Sequence, residues 1–245
     1  AQALASLAAV GEAADVLVHA SWLEVLGREA LTRRFYRTLE DVVAHVASEA
    51  ETAAPRADRH ELALLYLSRL LFLSFLETKG WLDGDRRFLE HGFLRCMERG
   101  AHYHRRVLRP LFFGTLNTPV SARAPTARAF GAIPFLNGGL FAPAPLERRW
   151  PTLSFSDASL GRAFDELFAR YRFTAREDND AWSEAAIDPE MLGKAFESLM
   201  SSPERRSSGA YYTPQALVAG VTRSALTSAL AHAPLSREAV EAMLD

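Results

Sequence analysis

The chain has 245 residues, enough for one sizeable core or two small ones. Hydrophobic residues make up 49%, charged residues 24%, and the formal net charge is -2, so the chain is a globular candidate without a bulk field for a polyanion, and any contact with phosphate must rest on a local patch. A single cysteine, Cys96, excludes an intrachain disulfide framework and fits a reducing, cytoplasmic compartment.

The N-terminus, "AQALASLAAVGEAADVLV", has no basic n-region and carries acids, so it is not a signal peptide. It also lacks an initiator methionine, which points to a processed or excised chain. In "SWLEVLGREALTRRFYRTLEDVVAHVASEA" the apolar positions Leu31, Phe35, Leu39, Val42, Val43 and Val46 recur at helical intervals. Thr52 to Arg59 forms a short connection bearing proline and charge. The run "ELALLYLSRLLFLSFLETKGWL" is apolar almost all round and predicts a buried helix. Ser68, Arg69 and Ser74 interrupt it too often for a bilayer span. Gly80 stands where a left-handed cap belongs, with Trp81 and Leu82 to supply its hydrophobic contact.

A helical pattern follows from Phe88 to Leu108. Between Pro110 and Pro151, seven prolines and Gly114, Gly131, Gly138 and Gly139 predict an irregular, loop-rich stretch. Within it, "IPFLNGGLFAP" is a short hairpin signal, because Asn and Gly tolerate positive φ. Helical periodicity returns in "SLGRAFDELFARYRF" and in "DPEMLGKAFESLM", where Asp188 can cap and Pro189 suits the first helical position. The polar link "SSPERRSSGA" then leads to "YYTPQALVAGVTRSAL", with Thr213 as N-cap and Pro214 in the first turn.

Several residue groups carry possible chemistry. The free N-H groups at the Thr213-Pro214 helix start favour an anion such as a carboxylate, and Tyr211 and Tyr212 add aromatic faces and hydroxyls. A capped, packed corner explains the same residues. Glu77-x-Lys79 with Asp58 upstream has the residue types of a metal-dependent nuclease, but it ends a buried helix where such sites stand on strands. Cys96, His102 and His104 lack a fourth zinc ligand, so no metal site is expected. Arg99, Arg105, Arg106 and Arg109 lie in a stretch basic enough to contact DNA phosphates, or else form an ordinary solvated face. Arg69, inside an apolar helix, must find a carboxylate or carbonyl and is expected to be structural. Lys79 and Lys194 are the only lysines among the 28 Lys and Arg residues, a chain-wide skew to arginine with little functional content. No Walker loop, G-x-G-x-x-G, G-x-S-x-G or H-E-x-x-H is present, so no catalytic residue is assigned in this chain.

"RRSSGAYYTPQALV" resembles the G-x-[YF]-Y-T-P-x-x-[LI]-[VA] signature, motif X, of adenine-N6 DNA methyltransferases of the type IIG restriction-modification and phage-defence class. "RLLFLSFLETKGWL", "IPFLNGGLF" and "IDPEMLGKAFESLM" look like further elements of that family, in its order, over roughly residues 30 to 230. The resemblance implies that motif X helps close an S-adenosylmethionine pocket, with Tyr211, Tyr212, Thr213 and Pro214 on the cofactor side. The family's glycine-bearing cofactor loop and its Asn-Pro-Pro-[YF] tetrapeptide do not occur here, so this chain is expected to be the N-terminal part of a longer enzyme and inactive alone. Its expected partners are duplex DNA, the remainder of the methyltransferase and a nuclease domain or other defence subunits, with no membrane.

The expected fold is mainly α: a multi-helix, bundle-like domain over 1–200 with a loop-rich insertion at 110–151 and at most a small β-hairpin, then a motif X arm over 201–245. The alternative is a helical DNA-contacting connector or subunit-interaction domain without cofactor binding. A helical domain with no nucleic-acid role is a third reading.

Overall fold

The computed structural model describes residues 15–136, 139–173, 186–187, 191, 193 and 215–230. The fold is mainly α, and the chain forms two compact units, Ala1–Leu192 and Gly193–Asp245. In the first unit, helix α1 (Asp15–Ser48) packs along α2 (Arg56–Thr78). Phe35, Leu39, Val42, Val43 and Val46 are buried, as their spacing predicts. From α2, Leu62, Ala63, Tyr66, Leu67, Leu70, Leu71 and Leu73 fill the same core. Burial on nearly every side of α2 is what its continuous apolar run requires.

Short strands close the ends of this pair. Strand β1 (Ala50–Glu51) pairs antiparallel with β2 (Ser154–Phe155), with Ala50 opposite Phe155 and Glu51 opposite Ser154. Strand β3 (Arg172–Phe173) runs parallel to β4 (Ala186–Ile187). Phe173 packs edge-on against Phe75 at 5.5 Å, while Tyr171 meets Phe35 at 5.1 Å, so the β3 end of the unit is anchored to both long helices.

The α2 terminus is a Schellman turn. Gly80 has φ 72°, its N-H donates to the Glu77 carbonyl at 2.8 Å, and the Trp81 N-H donates to the Leu76 carbonyl at 3.0 Å. Leu82 is fully buried beneath this turn, but Trp81 is 59% exposed, so Leu82 alone supplies the apolar contact. Asp83, at φ 55°, accepts the Ala132 N-H at 2.8 Å and donates its own N-H to the Ala132 carbonyl at 3.2 Å. Gly131, at φ 87°, is required there because any Cβ would collide with the Asp83 carboxylate.

Helix α3 (Phe88–Glu98) ends at Arg99 and Gly100, the latter at φ 59°. The helical pattern expected to run unbroken to Leu108 is therefore interrupted. The chain then re-enters a wide helix, with π-helical turns at His104–Leu108 and Pro110–Leu116. Pro110 does not end the helix, contrary to the expectation that irregular structure begins there. A proline ring clashes with the carbonyl four residues back in an α-helix, and a turn closed five residues back moves that carbonyl from beneath it.

The rest of the loop-rich segment holds only short turns: Val120–Ala122, α4 (Pro125–Arg128), Gly139–Phe141 and α5 (Pro145–Arg149). In the expected hairpin, Asn137 and Gly138 lie outside the described residues. The flanking Gly139–Phe141 is a 3-10 turn, and the Leu136 N-H donates to the Leu116 carbonyl at 2.8 Å. Helix α6 (Asp157–Ala163) starts on a Ser156 cap that accepts the Ser159 N-H at 3.2 Å, and passes into a π-helical turn at Phe164–Phe168. The helical periodicity read as far as Phe173 thus yields to strand at Arg172. The expected helix around Asp188 and Pro189 lies largely outside the described residues.

Arg69 fastens this loop-rich segment to the core. It is fully buried on α2. Its guanidinium donates to Glu147 Oε1 at 2.8 Å and Oε2 at 3.0 Å, and to the carbonyls of Leu140 at 2.7 Å and Ala142 at 3.0 Å. The rings of Tyr66, Phe112 and Phe113 lie 5.3 to 5.5 Å from its central carbon. Glu147 Oε2 also accepts the Ala144 N-H at 2.8 Å, which is half of a capping box; the Ala144 methyl has no acceptor to supply the other half.

Glu77 has a similar bridging role. Its Oε2 accepts the Leu89 N-H at 3.0 Å, capping α3 from the last turn of α2. Burial pushes its carboxyl up to about 7 against the pull of that N-H, with Asp85 and Glu90 adding repulsion.

Two outcomes follow for stability. Arg69→Met strands a buried carboxylate and two carbonyls, and is expected to cost ~3–5 kcal/mol in denaturant unfolding. Arg69→Met with Glu147→Leu should recover only part of that, since the carbonyls stay unpaired; a single-variant cost below ~1 kcal/mol would refute the role. For Glu77, the folded state holds a proton more tightly than the unfolded chain, whose carboxyl titrates near 4.5. Stability therefore falls as pH rises from about 4.5 to about 7 and is flat above, by roughly 1–3 kcal/mol. Glu77→Gln keeps an acceptor for Leu89 and should abolish that slope; an unchanged slope would show that another group titrates.

Candidate functional site

The four arginines singled out from sequence stand on two elements. Arg99 ends α3, beside the Gly100 turn. Arg105, Arg106 and Arg109 project from the wide helix that begins at His104, where Arg105 and Arg106 are exposed. The wide turn is held from inside. His104 is fully buried, its Nδ1 lies 3.2 Å from Ser154 Oγ, and its ring packs edge-on against Tyr66 at 4.7 Å and Phe155 at 5.3 Å. Burial, reinforced by Arg109 and Arg105, pushes this imidazole down to about 3. It is neutral near pH 7 and adds no charge to the surface above it.

Tyr103, also fully buried, donates its hydroxyl to the Leu89 carbonyl at 3.0 Å, and its N-H goes to Asp157 Oδ1 at 2.8 Å. That pair fixes the wide helix between the starts of α3 and α6.

The arginine heads differ in their engagements. Arg105 Nη2 reaches Glu51 Oε2 at 3.3 Å with both side chains half-exposed, a pair worth little. Arg109 Nη1 donates to the Pro151 carbonyl at 3.1 Å and its guanidinium lies 5.7 Å from the Phe113 ring centre. Arg99 and Arg106 have no ion pair among the described residues.

The fold brings further arginines to Arg109 that the linear pattern did not reveal. Pro151 follows Arg148, Arg149 and Trp150, and both arginines are exposed. Trp150 Nε1 donates to Asp58 Oδ2 at 2.7 Å and Arg149 Nη1 stands 3.7 Å from the same oxygen, so the end of α5 lies against the first turn of α2 and its Arg56 and Arg59. The Arg-Arg-Trp triplet was visible in sequence, but its neighbour was 92 residues away.

The nuclease-like residues do not converge. Asp58 is in the first turn of α2 and Glu77 in its last, about 28 Å apart along the axis at 1.5 Å per residue. Cys96 Sγ donates to the Ala101 carbonyl, His102 faces Asp157 at 3.4 Å and His104 faces Ser154. Among the described residues no group of three His, Cys, Asp or Glu side chains could hold a metal ion. No described helix is long and apolar enough to cross a membrane.

Tyr211, Tyr212, Thr213 and Pro214, the cofactor-side candidates, lie outside the described residues. Helix α7 (Gln215–Leu230) begins at the next residue. It leaves Leu217, Val218, Val221 and Leu226 exposed, and Leu217, Gly220, Val221, Ser224, Ala225 and Ser228 line a shallow open groove along it.

A protein of Methanocaldococcus jannaschii, provisionally named as a type II restriction enzyme and methyltransferase, is 28% identical over 184 residues, 73% of this chain and 15% of the relative. The chain thus spans about 15% of the length of the relative it matches. No solved structure matches. A family model described as a domain of unknown function (DUF7814) matches residues 19–162, more than half of the chain, which therefore belongs to that family.

Proposed function

We propose that this chain is the N-terminal helical part of a site-specific, S-adenosylmethionine-dependent DNA adenine-N6 methyltransferase of a restriction-modification or phage-defence system. On this reading it supplies a scaffold over 1–200 and a cofactor-side arm over 201–245, and is not catalytic alone. The observation that carries the proposal is the match of 73% of the chain to a relative whose name joins restriction and methyl transfer. The four family-like segments, in order along the chain, support it independently.

The cofactor would supply an electrophilic methyl group. In this chain, the first-turn N-H groups of α7 that follow the Thr213-Pro214 start would face the cofactor carboxylate, Pro214 itself having no N-H to give, and Tyr211 and Tyr212 would flank it. The exposed apolar residues of α7 suit an element that packs on a catalytic domain. The target adenine would be extruded from the duplex before reaction. A nuclease domain or other defence subunits are further proposed partners.

A second reading, a DNA-contacting connector without cofactor binding, is favoured by the exposed Arg105 and Arg106. The two readings separate on one enzyme assay. The isolated chain should transfer no labelled methyl to duplex DNA, whereas the chain continued into a catalytic domain should form N6-methyladenine. In that longer protein, Tyr212→Ala with Thr213→Ala should raise KM for S-adenosylmethionine about tenfold, equivalent to about 1.4 kcal/mol, with DNA affinity unchanged. Transfer by the isolated chain would overturn its being inactive alone, and an unaltered KM in the variant would overturn the cofactor-side role.

A further inference from the structure

We infer that the duplex-DNA contact surface is a composite basic face assembled from three segments: the wide helix carrying Arg105, Arg106 and Arg109, the end of α5 carrying Arg148 and Arg149, and the first turn of α2 carrying Arg56 and Arg59. The inference rests on the DNA-binding reading above and deepens it by naming where the phosphates would lie. The juxtaposition is fixed by named contacts. Arg109 donates to the Pro151 carbonyl at 3.1 Å, and Arg149 precedes Pro151 by two residues, at most roughly 7 Å of backbone. Asp58 receives Trp150 at 2.7 Å and Arg149 at 3.7 Å, which brings Arg56 and Arg59 to the same end. Arg105 reaches Glu51 at 3.3 Å, and Glu51 is paired to Ser154 in the β1–β2 ladder, close after Pro151.

The charge balance of this face differs from that of the whole chain. Seven arginines share it with the exposed Glu51 and Glu61 and with Asp58, which is part-buried beneath Trp150 and Arg149; Arg59 is part-buried as well, its Nε out of solvent. Glu147, the remaining acid on these segments, is buried and consumed by Arg69. Although the net charge of the chain is -2, the described residues of this face are mostly basic. Arg106 and Arg148 are exposed and have no ion pair among the described residues. Arg105 and Arg149 have only weak surface pairs, which a phosphate can replace at little cost. Arginine forks suit phosphate oxygens, and heads on three separate segments offer more than one phosphate contact. Contacts of this kind to phosphates position the duplex and carry no sequence information directly.

The test is anisotropy of a labelled duplex of about 20 base pairs titrated with this chain between about 50 and about 200 mM salt. Arg148→Gln with Arg149→Gln, and separately Arg105→Gln with Arg106→Gln, should each weaken binding about tenfold and reduce the salt slope by about one to two. Arg148→Lys with Arg149→Lys should restore most of the affinity, which excludes loss through misfolding. The exposed pair Arg86→Gln with Arg128→Gln, outside the face, should bind as the parent does. If the Arg148 and Arg149 variant binds normally while the Arg105 and Arg106 variant is weakened, the composite face is wrong and DNA binding stands. Equal losses in all three pairs, tighter binding of single strands or RNA, or no duplex binding at low salt would each overturn the inference. Methyl transfer and the KM for cofactor in the longer protein are read separately, so failure of the face and failure of the methyltransferase reading remain distinguishable.

Discussion

One buried ion pair determines where the end of the irregular segment goes. Desolvating a guanidinium and a carboxylate costs several kcal/mol each, and the attraction repays this only with near-ideal geometry and every remaining donor satisfied. Arg69 comes near that condition: four hydrogen bonds from its five N-H groups, two to Glu147 and two to carbonyls of residues 140 and 142, and three aromatic rings around it. The partners come from a stretch whose own turns are too short to be stable alone. In consequence the 139–149 segment is organised around a point inside α2 rather than by its own hydrogen bonds.

That dependence extends to the surface. Glu147 also caps α5, so the Arg148-Arg149-Trp150 triplet is presented by a turn whose first residue and whose core anchor share one carboxylate. Trp150 then closes on Asp58, and Pro151 on Arg109. A buried electrostatic contact thus sets the position of exposed positive charge some residues further on. His104 works in the same direction from the other side. Held neutral by burial against Tyr66 and Phe155, it lets a wide helix turn carry Arg105, Arg106 and Arg109 outward without a cation beneath them.

The long helices were legible because their signal is repeated: Phe35 to Val46 and Leu62 to Leu76 each give several turns of consistent burial. Gly80 was legible because only a positive φ explains a glycine after such a run. Arg69 was expected to be structural and to need a carboxylate or carbonyl; it uses both, but Glu147, 78 residues on, had no local mark. The two-residue strands carry no periodicity, so nothing announced them. Pro110 misled because the rule against proline in helices presumes a closing bond four residues back, and the wide turn here does not obey it. Of the arginines, the run at 105–109 was visible as a run, whereas its neighbours at 148 and 149 become neighbours only through tertiary contacts.

The two kinds of exposed surface call for different partners. The face around Arg106 and Arg148 is charged, so an anion can be attracted to it over a Debye length. Helix α7 exposes Leu217, Val218, Val221 and Leu226 beside small residues, which attract nothing at a distance but lose water on close apolar contact. If the arm serves a cofactor pocket as proposed, its apolar side needs a protein surface and its polar start needs the anionic end of the cofactor. A phosphate backbone meets neither need. Contact with DNA and closure of the cofactor pocket would therefore draw on separate parts of this chain and be open to separate disruption.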